Sequence, residues 1–364
     1  MEIGCGVPKT NSITLGIGVD EAKGLHQGVR HPHPARVYPG GDRGQLPEEH
    51  DIDGWIAISV RDLYKSYGDL EVLKGIDLEV ERGEFYALMG QNGSGKTTLT
   101  SIMSCTSLPM KGSARIHGYD VVEEADKVKR VIGYVPQENF SCSRLTGREN
   151  LVYFARLFGF SRREAEGLAG VLLDRMGLAA DAVRYVSDYS GGMRKRLEVA
   201  TALLPGIEVL FLDEPTTGLD PSARKNFLGM LKDINMNGTT VFLVTHIGED
   251  AEAASRVGFI DGGRIVMEGE PDELKERSGL KNVVEVETTF KGERVASVLR
   301  PFAGDERLQE MEEGYRIFCE RPEEVAPMIV RSLDGIGCQA KRVETRAPSL
   351  EDVFFKVTRK PLRG

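Results

Sequence analysis

The run Gly90-Gln91-Asn92-Gly93-Ser94-Gly95-Lys96-Thr97-Thr98 carries the spacing G-x-x-x-x-G-K-[ST]. Its glycines let the backbone wrap tightly enough for successive N–H groups to point at phosphate oxygens. A helix beginning there adds the positive end of its dipole. Lys96 is placed to reach the β- and γ-phosphates of a nucleoside triphosphate, and the Thr97 hydroxyl to ligate Mg²⁺. The flanks are those such a loop needs. Phe85-Tyr86-Ala87-Leu88-Met89 reads as a buried strand before it, and Thr97 to Cys105 as a helix after it.

A triphosphate and its metal also need carboxylates. Val209-Leu210-Phe211-Leu212 is a buried strand ending in Asp213-Glu214. Ligands of open α/β sheets gather at the carboxyl ends of parallel strands. Asp213 is therefore expected to hold Mg²⁺, directly or through water. Glu214 can face the γ-phosphate and polarise the attacking water as general base.

These groups must be positioned by a sheet. Ile56 to Leu63 and Ile76 to Val80 alternate like strands. Val131–Val135 and Thr240–Val244 are further buried strands, and the stretch between residues 213 and 240 is helical in pattern. Strand, helix and strand in that order imply a parallel sheet with right-handed crossovers. Residues 146–205 read as helices, one opened by the capping box Thr146-Gly147-Arg148-Glu149. Gly258 to Met267 reads as a hairpin turning at Gly262-Gly263. After about residue 280, strands at 283–289, 315–319 and 339–345 and helices near 292–300 and 322–333 describe a small α+β unit.

Tyr189-Ser190-Gly191-Gly192-Met193 lies between the phosphate loop and Asp213. It resembles the signature motif of ATP-binding-cassette ATPases. The full order of Tyr67, phosphate loop, Gln137, signature, Asp213-Glu214, Asp220 and His246 is similar to that family over about residues 56–275. The resemblance implies an α/β P-loop NTPase cassette: a parallel-sheet core with an antiparallel β subdomain and a helical subdomain at about 140–205. It implies ATP with Mg²⁺, the adenine stacked on Tyr67. Gln137 would touch Mg²⁺ or the attacking water and sense a partner protein. Ser190, Gly191 and Gly192 would cap the γ-phosphate bound by the opposite subunit, Asp220 would lie in the stretch crossing the dimer interface, and His246 would contact the γ-phosphate and hold Glu214. Tyr189 and Met193 depart from the family's commoner Leu and Gln, leaving contacts to the ribose open.

The resemblance also implies a head-to-tail homodimer, or pairing with a second cassette, acting on a separate integral membrane permease. Pro348 to Thr358 resembles the closing motif of ATPase subunits from multidrug exporters of the daunorubicin-resistance type. It also reads as an amphipathic helix packing Leu350, Val353, Phe354 and Val357. Phe140, Tyr153, Phe154 and Phe158 can be read as lining a permease groove or as helical core. The alternative function is a cassette acting on DNA or the ribosome, but the chain has neither inserted coiled coils nor a second cassette.

Bulk composition fits this reading. The 364 residues carry net charge −9, so no nucleic-acid partner is expected. No run of about 18 apolar residues occurs, so the chain is expected not to span a membrane. Five cysteines without metal-ligand spacing read as reduced thiols. The expected location is cytoplasmic, peripheral on the inner face of the cell membrane through the permease. Residues 1–54 are Gly-, Pro- and polar-rich and read as a disordered or non-native extension. The expected units are thus 1–54, an ATPase domain at 55–280, and a C-terminal domain at 281–364.

Overall fold

The computed structural model describes residues 55–303 and 308–358. The stretch 1–54 lies outside them.

The described chain opens with β1 (Ile56–Tyr67) and β2 (Leu70–Glu81), then β3 (Phe85–Met89) and α1 (Lys96–Met103). β4 (Lys111–Ile116) and β5 (Tyr119–Asp120) complete an antiparallel sheet of order β2-β1-β4-β5. α2 (Ala125–Val131) leads into β6 (Ile132–Val135). Three helices follow: α3 (Gly147–Leu157), α4 (Arg162–Arg175) and α5 (Gly191–Ala202). Reciprocal capping boxes start the first two, Thr146 with Glu149 and Ser161 with Glu164. β7 (Val209–Asp213), α6 (Pro221–Met236) and β8 (Thr240–Thr245) make a strand–helix–strand crossover. The short α7 (Gly248–Ala251) precedes the hairpin β9 (Arg256–Asp261) and β10 (Arg264–Gly269), and α8 (Pro271–Ser278) follows it.

The central sheet has the order β10-β9-β3-β8-β7-β6. β9, β3, β8, β7 and β6 run parallel, and β10 closes one edge antiparallel. A parallel sheet must be covered on both faces, and all residues of β3, β7 and β8 are buried. The alternation divides them. Tyr86, Leu88, Phe211 and Phe242 face α1 and the antiparallel sheet, with Ile58, Leu63, Ile76 and Leu99. Phe85, Ala87, Leu210, Leu212 and Leu243 face the helices, with Leu172, Leu197 and Phe227.

The C-terminal part comprises β11 (Asn282–Thr288), α9 (Glu293–Leu299), β12 (Gln309–Glu310), β13 (Gly314–Cys319), α10 (Pro322–Asp334), β14 (Ala340–Arg346) and α11 (Leu350–Thr358). Its antiparallel sheet, order β12-β13-β11-β14, packs one face on α9 and α10 through Val284, Val286, Ile317, Leu299 and Ile329. α11 belongs to both halves. Its Leu350, Val353 and Phe354 are buried in the cassette core, where Phe354 stacks edge-on against Phe259 at 5.5 Å. Its Asp352, fully buried, is held by Arg316 at 2.7 Å and Arg346 at 2.6 Å from the neighbouring strands. Those two guanidiniums bridge to Glu285, both at 2.8 Å or less.

The sequence pattern did not signal β4, β5, α2, α7 or α8. β4 buries only Ala114 and Ile116, too little to set a period. Residues 146–205 are not helical throughout: the chain loosens at 158–161 and again at 176–190, and the second break delivers Ser190. Among the described residues no helix is long and apolar enough to cross a membrane.

Two outcomes follow for α11. Phe354→Ala should cost about 3–5 kcal/mol of unfolding free energy in denaturant titrations; a loss under about 1 kcal/mol would mean the helix is only loosely attached. Burial opposes ionisation of Asp352, but Arg346 and Arg316 outweigh it and hold its carboxyl below its ordinary 3.8. A carboxyl depressed in the folded state stabilises above its unfolded value and loses that contribution as pH falls through the folded one. Asp352→Asn should therefore be less stable than wild type at pH 7, with the gap shrinking below pH 3.8.

Candidate active site

The loop after β3 is shaped by close packing. A Cβ on Gly90 would lie 2.4 Å from the Ile260 carbonyl oxygen on β9. Gly95 starts α1 at φ 109°, where a Cβ would also press on Leu73. Between them Gln91, Asn92, Gly93 and Ser94 form the cradle, with Gly93 at φ 79°. Ser94 Oγ is buried without a hydrogen-bond partner. Thr97 and Thr98 follow on the first turn of α1, Thr97 open to solvent. The buried Lys96 ammonium folds back over the loop, donating to Gly90 O at 2.8 Å and Gln91 O at 2.9 Å. Desolvation pushes its pKa down, against the pull of Glu214 and Asp213.

β7 brings the two carboxylates under this loop. Asp213 is 1% exposed, and its Oδ1 has no hydrogen-bond partner. Burial raises its pKa, while a hydrogen bond with Thr97 opposes the rise. A buried acid with an open oxygen beside a hydroxyl is a hard-oxygen donor pair that fits Mg²⁺. Among the described residues no group of three or more His, Cys, Asp or Glu could hold a metal.

Glu214 breaks from the strand at φ 47°, left-handed and strained for a residue with a side chain. Its N–H still bonds Val244 O of β8 at 2.9 Å. The turn sends its carboxylate toward three groups. His246, just beyond β8, places Nδ1 3.1 Å from Oε2, at ion-pair distance but off the line of a hydrogen bond. Gln137, just beyond β6, donates Nε2 to the same oxygen at 3.3 Å. Lys96 Nζ lies 3.7 Å from Oε1. The imidazole, ahead of the ammonium, holds the Glu214 carboxyl below its ordinary value despite desolvation. An ionised carboxylate held at three points can accept a proton from water without rotating away.

The structure thus gathers Lys96, Thr97, Gln137, Asp213, Glu214 and His246. The loop residues Gly90 to Gly95 and Thr98 adjoin them, while Tyr67, Ser190, Gly191, Gly192 and Asp220 are placed otherwise. Tyr67 ends β1 with its ring 53% exposed and the Lys65 ammonium 5.1 Å from its centroid. Ser190 is exposed and N-caps α5, accepting from Met193 N at 3.3 Å. Gly191 and Gly192 open that helix beside Leu219 and Ala223. Asp220 is exposed and caps α6 through Ala223 N at 2.9 Å. Tyr189, one of the two departures, roots the signature: its hydroxyl bonds Asp181 O at 2.8 Å.

Sequence reasoning missed Asp250. Fully buried, it accepts from Thr216 Oγ1 and, at 3.1 Å, from Thr245 Oγ1. It thereby ties the turn after Glu214 to the strand end before His246. Sequence reasoning also missed the buried pair Lys195 and Glu198 on α5. Only a spacing pattern linking Thr216, Thr245 and Asp250 could have pointed to the first.

The fold and this site define a P-loop ATPase cassette. A family model described as ABC transporter matches residues 73–217. The daunorubicin resistance ATP-binding protein DrrA3 of Streptomyces coeruleorubidus is 39% identical over 83% of this chain and 96% of its own length. Nod factor export ATP-binding protein I of Rhizobium meliloti is 36% identical over 85% of this chain and 90% of its own. Among solved structures, a dimeric post-hydrolysis ATP-binding cassette bound to ADP and phosphate is 28% identical. It has a TM-score of 0.53 and covers 58% of this chain and 98% of its own. The chain belongs to the ATP-binding subunits of ABC transporters. It is an ATP-hydrolysing, energy-coupling subunit, and the alternative of a cassette acting on DNA or the ribosome is set aside by these relatives.

Gly90→Ala tests the cradle. Forcing a methyl against the Ile260 carbonyl costs about 1–3 kcal/mol of overpacking, so affinity for a fluorescent ATP analogue should fall on the order of ten- to a hundredfold. Unchanged affinity would show that contact with β9 does not shape the loop.

Proposed function

We propose that this chain powers an exporter, with Mg²⁺-ATP hydrolysed between two copies of the cassette arranged head to tail. The observation that carries the mechanism is the Glu214 carboxylate, held ionised by His246, Gln137 and Lys96 one residue beyond Asp213. Asp213 and Thr97 would hold the ion, which would supply positive charge to screen the phosphates. Lys96 turns from Gly90 O and Gln91 O to the β- and γ-phosphates. The loop 90–98 cradles those phosphates with its backbone, and Tyr67 offers an open ring face to adenine. Glu214 takes the proton of the attacking water, His246 keeps its carboxylate in place, and Gln137 orients the water.

Ser190, Gly191 and Gly192 form the N-terminal turn of α5, with Ser190 and Gly191 open to solvent, a suitable anion cap for a partner's γ-phosphate. Asp220 lies in the stretch that meets the partner. Charge neutralised from a second chain is worth on the order of 10³–10⁵ in rate in comparable NTPases, so the isolated monomer turns over poorly. The permease docks beside Gln137 on the segment 140–160. There Tyr153, Leu157 and Phe158 are 51%, 64% and 58% exposed, while Phe154 meets both Phe140 and Tyr153 edge to face at 5.4 Å. That apolar cluster supports contact with a membrane protein, and the cassette would sit at the cytoplasmic face through it. Residues 55–280 are the ATPase domain on this reading, and 281–364 a C-terminal unit anchored to it by α11.

Glu214→Gln keeps the side-chain shape and removes the base. It should bind ATP as wild type does, accumulate as a dimer in light scattering, and lose about 10²–10⁴-fold in kcat. Turnover at the wild-type rate would remove Glu214 from the mechanism.

A further inference from the structure

α5 carries the Ser190 turn at its start and two buried charges one turn further in. Lys195 is 6% exposed and Glu198 fully buried, with Nζ 3.2 Å from Oε2. Burying an ion pair is unfavourable unless surrounding groups match its remaining donors and acceptors. Here every matching group comes from one segment, the irregular chain just after β6. Lys195 Nζ donates to Gln137 O at 3.0 Å and lies 3.5 Å from Pro136 O. Glu198 Oε1 accepts from Phe140 N at 3.2 Å, Ser141 N at 3.4 Å and Ser141 Oγ at 2.9 Å. The far end of the segment is tied in turn to α3, where Asn150 exchanges two hydrogen bonds with the Cys142 backbone at 2.8 and 3.0 Å.

We propose that Lys195 and Glu198 are positioning residues that make the segment 136–141 and α5 move as one piece. The place of Gln137 beside Glu214 in one site is then locked to the place of Ser190 in the other. Apolar packing alone would hold the two together but let them slide. Directional bonds from a buried carboxylate to specific backbone N–H groups do not. A shear of the segment along α5 would leave Glu198 Oε1 buried without its three donors and part Lys195 Nζ from Gln137 O, which is unfavourable. Rotation of both together breaks none of these bonds. A push on the aromatic segment from 140 to 158 therefore reaches Gln137 and Ser190 together. This rests on the roles proposed above for those two residues.

Full-length Lys195→Met, Ser141→Ala and Lys195→Arg test it, with kcat, KM for ATP, thermal unfolding and amide hydrogen exchange measured on each. Lys195→Met removes the tie to Gln137 O while keeping most of the stem's volume. It should lower kcat about tenfold, the scale of one lost bond to a charged group, with KM unchanged within about twofold. Ser141→Ala should lower kcat by about threefold and speed exchange of the Phe140 and Ser141 amides. Lys195→Arg should return kcat to within about twofold of wild type. Should Lys195→Met fail to fold, Ser141→Ala decides alone. Accelerated exchange with wild-type kcat, a change confined to KM, or lost stability with normal kcat per folded molecule would each overturn the proposal. Failure of the underlying site assignment looks different: it appears as normal turnover in Glu214→Gln.

Discussion

In the proposed reaction two carboxylates with opposite tasks occupy consecutive positions, and the site keeps them apart. An acid that is to hold a metal needs an open oxygen in a dry setting, which β7 gives Asp213. A general base needs to be charged, held and reachable by water, which the strand cannot give the very next residue. The left-handed turn at Glu214 resolves this. The strain of such a turn persists only where the surroundings over-determine it. Here the bond to Val244 O, the packed strands on either side and the three groups around the carboxylate supply that determination.

Those three groups come from three different elements. Lys96 starts the helix after β3, Gln137 follows β6 and His246 follows β8. Glu214 therefore registers the relative position of the sheet's carboxyl ends as a whole. Moving Gln137 or His246 changes the field at the base directly, without a change in the phosphate loop. Asp250, bonded to both Thr216 and Thr245, limits how far the turns after β7 and β8 can separate. Coupling of turnover to events outside the site needs no more than these short links.

The phosphate loop, Asp213, Glu214 and the strand alternation were legible because each is written in residue types at fixed local spacing. The strained φ at Glu214 was not, since no neighbouring residue type demands it. Lys195 and Glu198 were silent for another reason. Apart from each other and the Ser141 hydroxyl, their partners are backbone groups of Gln137, Phe140 and Ser141, which carry no sequence signal. The amphipathic face of α11 was readable from Leu350, Val353 and Phe354, but its partner Phe259 was not. The Glu285–Arg316–Asp352–Arg346 cluster draws on three strands and a helix spread along the sequence, and only the fold assembles it.

α11 lies far along the chain from β9, yet packs against it through Phe354 and Phe259. Until α11 docks, Phe259 and its neighbours in the helix-facing core lack the cover that Leu350, Val353 and Phe354 give them. Contacts of such long sequence separation close late, and the apolar surface they leave open meanwhile invites aggregation. The cassette's own folding is therefore gated by the arrival of α11. A message or protease that removed α11 would leave part of the cassette core exposed rather than yield a smaller working ATPase.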